Sequence, residues 1–267
     1  MKKAKKFISL FITICLLMTF VPMQMVYADS AFSGGNGTMD DPYLITSAND
    51  FKQLATEVNG GNNYSNTYFK IPETVTETIE LSTDDGYVPI GNDTNQFEGT
   101  FDGGNHTINL NLTGERLVGL FGEGGENSNL CNIRTTGSVS MTGYYAGGIV
   151  ANMYGNVVNC HNEASVTGYY HVGGIVGISD NSKYIINCSN SGAIVGNMNV
   201  GGIVGNISTL KVINCLNTGT VQGSSCGGIA GYSGLYSKIY NCINNGLVTK
   251  KSDGNYIGGL FGLEFTI

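Results

Sequence analysis

The sequence predicts an all-β protein: a parallel β-helix solenoid of about five to six coils that follows an N-terminal capping region with one short helix. A glycine-rich motif recurs at intervals of 26 to 31 residues, an Asn-Cys motif runs in phase with it, and the segments between them are short Val/Ile runs. No run within the repeats has the length or the three- and four-residue apolar spacing of a helix. A repeat of this size with three short strands is typical of one β-helix coil.

The glycine motif reads Gly-Gly-Ile-Val-Gly in its most regular copy, at residues 173–177. Further copies lie at 147–151, 201–205, 227–231 and 258–262, and a shorter one lies at 119–122. Glycine recurs where the backbone turns tightly or packs closely against another segment. We therefore expect each copy to contribute a close turn and a short strand to its coil.

The second motif, Asn-Cys-x-Asn-x-(Gly/Ala)-x-(Val/Ile), occurs at 159–166, 187–194, 214–221 and 241–248. In stacked coils each residue lies above its copy, so repeated Cys can fill a narrow core and repeated Asn at a bend can share amide hydrogen bonds. The predicted structural ladders consist of Cys131, Cys160, Cys188, Cys215 and Cys242, and of Asn159, Asn187, Asn214 and Asn241. Strict strand alternation cannot turn both Ile185 and Cys188 inward, which predicts a bulge or bend near Asn187.

The repeat resembles the GLUG motif, named for Gly-Leu-small-Gly, of bacterial cell-surface proteins. The same motif is found upstream of some immunoglobulin-A-cleaving metallopeptidases. The resemblance rests on the copies between residues 119 and 262, and on Asp-Pro-Tyr at 41–43, Val-Pro-Ile-Gly at 88–91 and Phe-Glu-Gly-Thr-Phe-Asp-Gly-Gly-Asn-His-Thr-Ile at 97–108. It implies a right-handed parallel β-helix at the cell surface, and it implies no particular activity.

Residues 1–28 have the pattern of a signal peptide. Four lysines precede the apolar run at 7–20, and Val-Tyr-Ala at 26–28 forms a small-residue cleavage site that leaves Asp29 first. An uncleaved membrane anchor is the alternative, for which the apolar run is short. Because no second apolar span follows, we expect no membrane span after cleavage. The predicted location is secreted or extracellular, with cell-surface association.

Residues 29–112 are predicted to form an N-terminal cap and the first irregular coils, and residues 113–267 the GLUG-type repeats. Ser47 and Asp50 resemble the capping box of a helix that carries its apolar residues on one face and stops at Asn59-Gly60-Gly61. Such a helix could cover the open end of the β-helix. Short strands are predicted at 68–71, 77–81 and 107–112, the last of which begins the regular coil.

Charge divides along the chain. The chain has 13 basic and 20 acidic residues and a formal net charge of −7. Residues 29–126 contain sixteen acidic residues against Lys52, Lys70 and Arg116, whereas residues 127–267 contain four acidic and six basic residues. An acidic cap and a nearly neutral rod lack the basic stripe that nucleic-acid binding requires, so nucleic acid is not expected as a partner.

The six cysteines beyond residue 28 are predicted to be buried free thiols, because their spacing follows the coil period and side chains in a parallel ladder point the same way. Cys226 lies outside the ladder and is predicted to be the most reactive. No two cysteines have zinc-ligand spacing, and His106, His161 and His171 form no catalytic motif. We therefore predict no catalytic, cofactor-binding or metal-binding residue, although the acidic cap leaves room for a structural calcium ion.

The predicted function is that of a non-enzymatic adhesin, spacer or glycan-binding module, with a cell-wall or host-surface glycan or protein as partner. Tyr144, Tyr145, Tyr169 and Tyr170 could face a ligand, since an aromatic face and a hydroxyl suit a sugar ring. Packing of these tyrosines over turns is the simpler interpretation.

Two alternatives remain open. A polysaccharide lyase or hydrolase on the same fold would need clustered carboxylates, for which the acidic cap offers Asp84, Asp85 and Asp102. The chain could also be a truncated fragment of a larger surface protein. The last repeat is followed by no capping segment, which predicts either truncation or end-to-end self-association.

Overall fold

The computed structural model describes residues 32–179, 183–209, 211–251 and 256–264. Over these residues the backbone winds into a parallel β-helix of about eight coils, because one of its sheets contains eight parallel strands, one from each coil. The predicted fold class is confirmed, and the predicted number of five to six coils is wrong. The first two coils carry neither repeat motif, so the sequence periodicity did not count them. The predicted signal peptide, residues 1–28, lies outside the described residues.

Sheet A is formed by the strand that opens each coil. Its strands are β1 (Tyr43–Leu44), β2 (Tyr68–Lys70), β4 (Thr100–Asp102), β7 (Asn129–Cys131), β11 (Asn156–Val158), β16 (Tyr184–Ile186), β21 (Lys211–Ile213) and β26 (Lys238–Tyr240). All neighbours in this sheet pair in parallel. The coil therefore begins at Tyr43, well before residue 107, where the sequence predicted its start.

Sheet B follows sheet A from the second coil onward and has eleven strands. Its first strands are continuous: β3 (Ile79–Ser82), β5 (Thr107–Gly114) and β8 (Arg134–Met141). In the later coils it divides into two rows of short strands: β12 (His161–Asn162), β17 (Ser189–Asn190), β22 (Leu216–Asn217) and β27 (Ile243–Asn244), then β13 (Ser165–Thr167), β18 (Ile194–Val195), β23 (Val221–Gly223) and β28 (Val248–Lys250). Strand β5 spans residue 112, the predicted boundary between cap and repeats, and sheet B is continuous across it.

Sheets D and C complete the later coils. Sheet D contains β9 (Ala146–Gly147), β14 (Tyr170–Gly173), β19 (Met198–Gly201), β24 (Ser225–Gly227) and β29 (Tyr256–Gly258). Sheet C contains β6 (Phe121–Gly124), β10 (Val150–Met153), β15 (Val176–Ser179), β20 (Val204–Ile207), β25 (Ala230–Ser233) and β30 (Phe261–Glu264). The glycine motif spans the corner between them. A Cβ on Gly173 would lie 2.8 Å from the backbone nitrogen of Gly205, so this corner has no room for a side chain.

Helix α1 (Ala48–Asn59) takes the place of sheets B, C and D in the first coil. Ser47 caps it, with Asp50 accepting a hydrogen bond from the Ser47 backbone in a complete capping box, and Gly60 follows its last residue. Phe51, Leu54, Ala55 and Val58 are fully buried, in line with the predicted apolar face. The helix covers the core of the next coil at the N-terminal end.

The core changes character along the rod. Near the helix it is aromatic, with Phe51, Phe69, Phe97, Phe101 and Phe121 fully or almost fully buried and in ring contact at 5.3–5.8 Å between centroids. Farther along, stacked Val, Ile and Cys side chains replace the rings. Small branched residues suit the narrow regular coils, whereas the larger rings fill the space between the first coils and the helix.

Candidate functional site

The outer asparagine ladder lies at the bend between sheets A and B. Asn159, Asn187, Asn214 and Asn241 have φ values of 51° to 55°, the left-handed conformation that asparagine tolerates better than most residues. The Nδ2 atom of Asn187 donates to Oδ1 of Asn159 at 3.2 Å, and Asn214 donates to Asn187 at 3.2 Å. At this bend the strict alternation of inward and outward side chains is broken. Cys188 therefore points into the core although Asn187, directly before it, points outward.

The ladder continues towards the N-terminus over the two preceding coils. Asn159 donates to Oδ1 of Asn132 at 3.4 Å, and Asn132 donates to Oδ1 of Asp102 at 2.9 Å. The same Asp102 oxygen accepts from the backbone of Gly104 at 2.9 Å. The amide chain therefore ends on a carboxylate, which is a strong acceptor.

The cysteine ladder contains Cys160, Cys188, Cys215 and Cys242, each directly after a bend asparagine. The first three are 1% exposed and Cys242 is half-buried. Their thiols point at backbone carbonyls of their own coil; for example, Cys188 Sγ lies 3.3 Å from the Ile186 oxygen. All six cysteines beyond residue 31 are free thiols in the structure.

Cys131 does not belong to this ladder, contrary to the prediction. The strand register pairs Cys131 with Val158, two residues before Cys160. The ladder position in that coil is occupied by Ile133, whose neighbour Arg134 pairs with His161. The reason is spacing: 29 residues separate Cys131 from Cys160, whereas register between these coils advances by 27.

Burial lowers the reactivity of the thiols. It raises the pKa of Cys188 well above the ordinary value, and the hydrogen bond with Cys188 is the main cause that raises the pKa of Cys215 to about 12. Burial also raises the pKa of Cys226, which is 0% exposed and directs its thiol at the Thr249 carbonyl at 3.4 Å. The predicted reactivity of Cys226 is therefore wrong, because a neutral, enclosed thiol is a poor nucleophile.

A second, inner asparagine ladder was not among the predicted site residues. Asn162 donates to Asn190 at 2.7 Å, Asn190 to Asn217 at 2.8 Å, and Asn217 to Asn244 at 2.8 Å. Each Nδ2 also donates to the backbone carbonyl two residues later, as Asn190 does to Gly192 at 3.0 Å. The first three are at most 1% exposed. The signal was present in the sequence as the fourth position of the Asn-Cys-x-Asn motif.

The predicted ligand-facing tyrosines come together beside and within sheet D. The Tyr144 and Tyr170 rings stack at 5.6 Å and 13°, Tyr169 meets Tyr170 edge to face at 4.6 Å, and Tyr145 packs on His171 at 5.4 Å. Tyr144 and Tyr169 are 53% and 47% exposed. We call these four tyrosines the tyrosine row. Stacking covers part of the ring faces, so the row presents mainly ring edges and hydroxyl groups.

The neighbours of the row differ at its two ends. Arg116 lies over the Tyr145 ring at 6.0 Å and forms an ion pair with Asp93 at 2.8 Å. On the other side Tyr170 pairs in register with Met198, which is 43% exposed. The exposed surface beside the row therefore carries an Arg–Asp ion pair at one end and an apolar methionine at the other.

The cap carboxylates of the enzymatic alternative do not converge. Asp84 and Asp85 lie exposed in the turn after β3. Oδ1 of Asp102 instead accepts hydrogen bonds from the Asn132 side chain and the Gly104 backbone. Within the described residues, no three His, Cys, Asp or Glu side chains form a group that could hold a metal ion. The three histidines are dispersed as well. His161 contacts Ser189 at 2.6 Å and Glu163 at 3.2 Å, on the outer surface of sheet B.

One carboxyl group stands apart and was missed by sequence reasoning. Glu123 in β6 is 4% exposed, and its Oε1 accepts from Gln96 Nε2 at 2.8 Å. Burial raises its pKa above that of an ordinary glutamate, and the nearby Asp93 adds to the rise. Its neighbour in sheet C, Asn152, has a buried Oδ1 without a hydrogen-bond partner among the described residues. No motif marks this glutamate, since the later coils carry other residue types at its position.

Two curated relatives match parts of the chain. One, from Evansella cellulosilytica, is provisionally named a Gly-rich membrane protein and is 32% identical over 165 residues, 59% of this chain and 18% of the relative. The other, Halomucin of Haloquadratum walsbyi, is 36% identical over 155 residues, 55% of this chain and 2% of the relative. The aligned segments are thus a small part of these relatives' own length. No protein-family profile matches the chain, so the GLUG assignment itself stays a prediction.

A solved structure has a similar fold. It is a Bacteroides ovatus protein with the provisional name immunoglobulin A1 protease, with a TM-score of 0.57, 19% identity, and coverage of 86% of this chain and 87% of the other. At this identity the likeness concerns the fold alone. No helix in the part of the chain that the structure describes is long and apolar enough to cross a membrane.

Proposed function

We propose that this chain is an extracellular, surface-associated repeat rod that acts as an adhesin, spacer or glycan-binding module. The observation that carries the proposal is the tyrosine row, a contiguous set of exposed and half-buried rings on an otherwise regular rod. The names of the two relatives, a Gly-rich membrane protein and a halomucin, support a surface context.

The tyrosine row is suited to contact a ligand because its rings are held in place before binding. Stacking of Tyr144 on Tyr170 and the edge contact of Tyr169 limit the side-chain freedom that association would otherwise remove. Tyrosine combines an apolar ring with a hydroxyl group, so the ring edges of the row can contact the apolar carbons of a sugar while its hydroxyl groups hydrogen-bond the sugar hydroxyls. An exposed aromatic group of this size is also typical of protein interaction sites.

The test is retention of the purified chain on a panel of bacterial and host polysaccharides, with released reducing ends measured in the same samples. Tyr144→Ala combined with Tyr169→Ala should weaken retention on the polysaccharides that the tyrosine row contacts. Tyr236→Ala is the matched control, because Tyr236 is 75% exposed and lies away from sheet D. Equal retention of the double variant and the wild type would remove the tyrosine row as the contact surface. Retention on whole cells, compared with protein in the medium, tests the surface location.

A polysaccharide-degrading activity is the second candidate, and Glu123 favours it. A carboxyl group whose pKa is raised by burial is a suitable proton donor for glycosidic cleavage, and Asp93 supplies a second carboxylate in its vicinity. Release of reducing ends that disappears in Glu123→Gln would establish this alternative. Release that survives the substitution would exclude Glu123 as the acid. A chain with neither retention nor product would favour the fragment of a larger surface protein.

A further inference from the structure

The outer surface of sheet B carries an unusually uniform set of side chains on four successive coils. The side chains are small and uncharged, and all of them except Asn111 carry a hydroxyl group. They belong to Ser82, Thr83, Asn111, Thr113, Ser138, Ser140, Ser165 and Thr167. We call this set the hydroxyl face. Between its members, the alternate residues of the strands, such as Leu112, Val139 and Val166, point into the core. The face is therefore held by a rigid, fully packed sheet.

The strand register aligns the hydroxyl face into two rows along the rod. Asn111, Ser138 and Ser165 are direct neighbours in one row, and Thr113, Ser140 and Thr167 in the other. Parallel strands place neighbours about 4.8 Å apart across coils, and residues of the two rows about 6.6 Å apart along each strand. The result is a regular two-row array of hydrogen-bonding groups.

Most hydroxyls of this array are available to a ligand. Within the described residues, the side chains of Ser138, Ser140 and Thr167 make no hydrogen bond, and Ser165 makes a long one of 3.4 Å to the Gly137 carbonyl. Only at the N-terminal edge do the members pair with each other, as Thr83 does with Thr113 at 3.1 Å. Free hydroxyls at fixed positions can donate and accept without prior rearrangement.

The members of the hydroxyl face carry no charge, and charged side chains flank the face on both sides. The adjacent row contains Glu80, bonded to Asn109 at 2.6 Å, and Glu163, paired with Arg134 at 2.9 Å. On the other side, Asp84 and Glu115 are exposed next to Thr83 and Thr113, so the charges that flank the hydroxyl face are mainly negative. A neutral polymer is compatible with this uncharged surface, whereas an anionic polymer would be repelled by the carboxylates at its edges.

We propose that the hydroxyl face binds a neutral polysaccharide in its extended form, laid along the rod axis with about one sugar ring per coil. The length of a ring in an extended β-1,4-linked chain is close to the rise of one coil, so successive sugar hydroxyls meet successive rows of Ser, Thr and Asn. The proposal rests on the proposed glycan-binding function, but it assigns the polymer to a different surface from the tyrosine row.

The next coil supplies a natural variant of the same surface. In register with Ser165 and Thr167 lie Ala193 and Val195, which have nearly the same shape and no hydroxyl. The fold therefore accepts Ala and Val at these two positions. Replacing Ser165 by Ala and Thr167 by Val copies the next coil onto this one, which removes the hydroxyls with little risk to folding.

The experiment measures binding isotherms of the full chain on insoluble cellulose and chitin as neutral probes, and on polygalacturonate as an anionic one. Ser165→Ala with Thr167→Val should weaken binding to the neutral probes about tenfold, as the loss of two hydrogen bonds implies. The reverse change, Ala193→Ser with Val195→Thr, extends the face by one coil and should strengthen binding about threefold. Thermal unfolding should be nearly unchanged in both variants.

Three results would overturn the inference: no retention of the wild type on either neutral probe, equal retention on polygalacturonate, or unchanged binding in both double variants. If binding instead disappears only in the Tyr144→Ala and Tyr169→Ala variant, the proposed function stands and the hydroxyl face is not the site. If the wild type binds other members of the glycan or cell panel but neither cellulose nor chitin, the proposed function survives while this inference fails.

Discussion

Gly174 lies directly against the buried side chain of Asn190: a Cβ built on Gly174 would stand 2.5 Å from Asn190 Cγ. The same relationship joins the second glycine of each motif copy to an inner-ladder asparagine, in the pairs Gly148 with Asn162, Gly202 with Asn217 and Gly228 with Asn244. The two repeat motifs are therefore two halves of one contact across the coil. This contact explains why they recur in phase.

Gly174→Ala should destabilise the protein. The added methyl group would meet both Asn190 and the Gly202 backbone, neither of which can move without breaking ladder hydrogen bonds. We expect a loss of about 1–3 kcal/mol in the free energy of unfolding, measured by chemical denaturation. Gly259→Ala is the matched control, since Gly259 has the same place in the motif and its added Cβ would have no atom of the described residues within 4 Å. Equal effects of the two substitutions would contradict the steric explanation.

Asn190→Ala should cost more stability than a change in the outer ladder. It removes a side chain that is 1% exposed and leaves the Asn162 amide and the Gly192 carbonyl without their partner. We expect a loss of about 2–4 kcal/mol. Asn187→Gly, which permits the left-handed φ of 54° and removes only exposed amide bonds, should cost less than about 1 kcal/mol. Denaturant midpoints that rank the two variants in the opposite order would refute the assignment of the inner ladder as the stronger one.

The ladder thiols should resist modification in the native protein. With a pKa of about 12, the Cys215 thiol is about one part in ten thousand thiolate at pH 8. Counting thiols with a chromogenic disulfide at pH 8 should find Cys160, Cys188, Cys215 and Cys226 unreactive until the chain is unfolded in guanidinium. Rapid native labelling of Cys215, located by mass spectrometry, would contradict the enclosed ladder.

The same thiols make stability fall at high pH. Because the pKa values of Cys188 and Cys215 are higher in the folded than in the unfolded chain, the folded state holds these protons more tightly. Their contribution to stability is complete below the unfolded pKa and is lost as the pH rises towards the folded pKa. Cys215→Ala should reduce this loss, which thermal unfolding between pH 8 and pH 10 would measure. A pH slope that is identical in the variant would exclude Cys215 as its source.

Glu123→Gln should flatten the pH dependence of stability between acid and neutral pH. The pKa of Glu123 is raised in the folded chain, so the stability it contributes at low pH is lost as the pH rises through its folded-state pKa. Glutamine is neutral at every pH and can keep a hydrogen bond to Gln96. We expect the variant to match the wild type at acid pH and to be the more stable at pH 8. Glu126→Gln, at an exposed position nearby, serves as the control for general loss of negative charge.

Much of the fold follows from short-range information. The period of the two motifs identifies the coil, and the capping box at Ser47 with the stop at Gly60 locates helix α1. The bend at Asn187 and the glycine corners could be predicted because each residue type favours the backbone conformation found there. Asparagine tolerates the left-handed conformation, and glycine is required where no Cβ fits.

The first coils and the register could not be obtained in this way. Strands β1 and β2 have no repeat motif, and they belong to the solenoid only because Phe69 and Phe101 stack in the same sheet as the later Val and Ile. The position of Cys131 depended on a two-residue difference in register, which is set by the pairing of whole strands and not by the residue itself.

The sequence by itself determined that this protein is a stack of β coils with an N-terminal helix, because a repeated residue stacks on its own copy wherever the coil has a constant period. Only the tertiary structure decided which residues distant in sequence come into contact: Gly174 with Asn190, Tyr144 with Tyr170, and Glu123 with Gln96. Such contacts depend on the number of residues in each corner between two sheets and on the direction in which each side chain points there. Both are determined only when the coils stack, because stacking selects the corner lengths that bury the core side chains and give its polar groups hydrogen-bond partners.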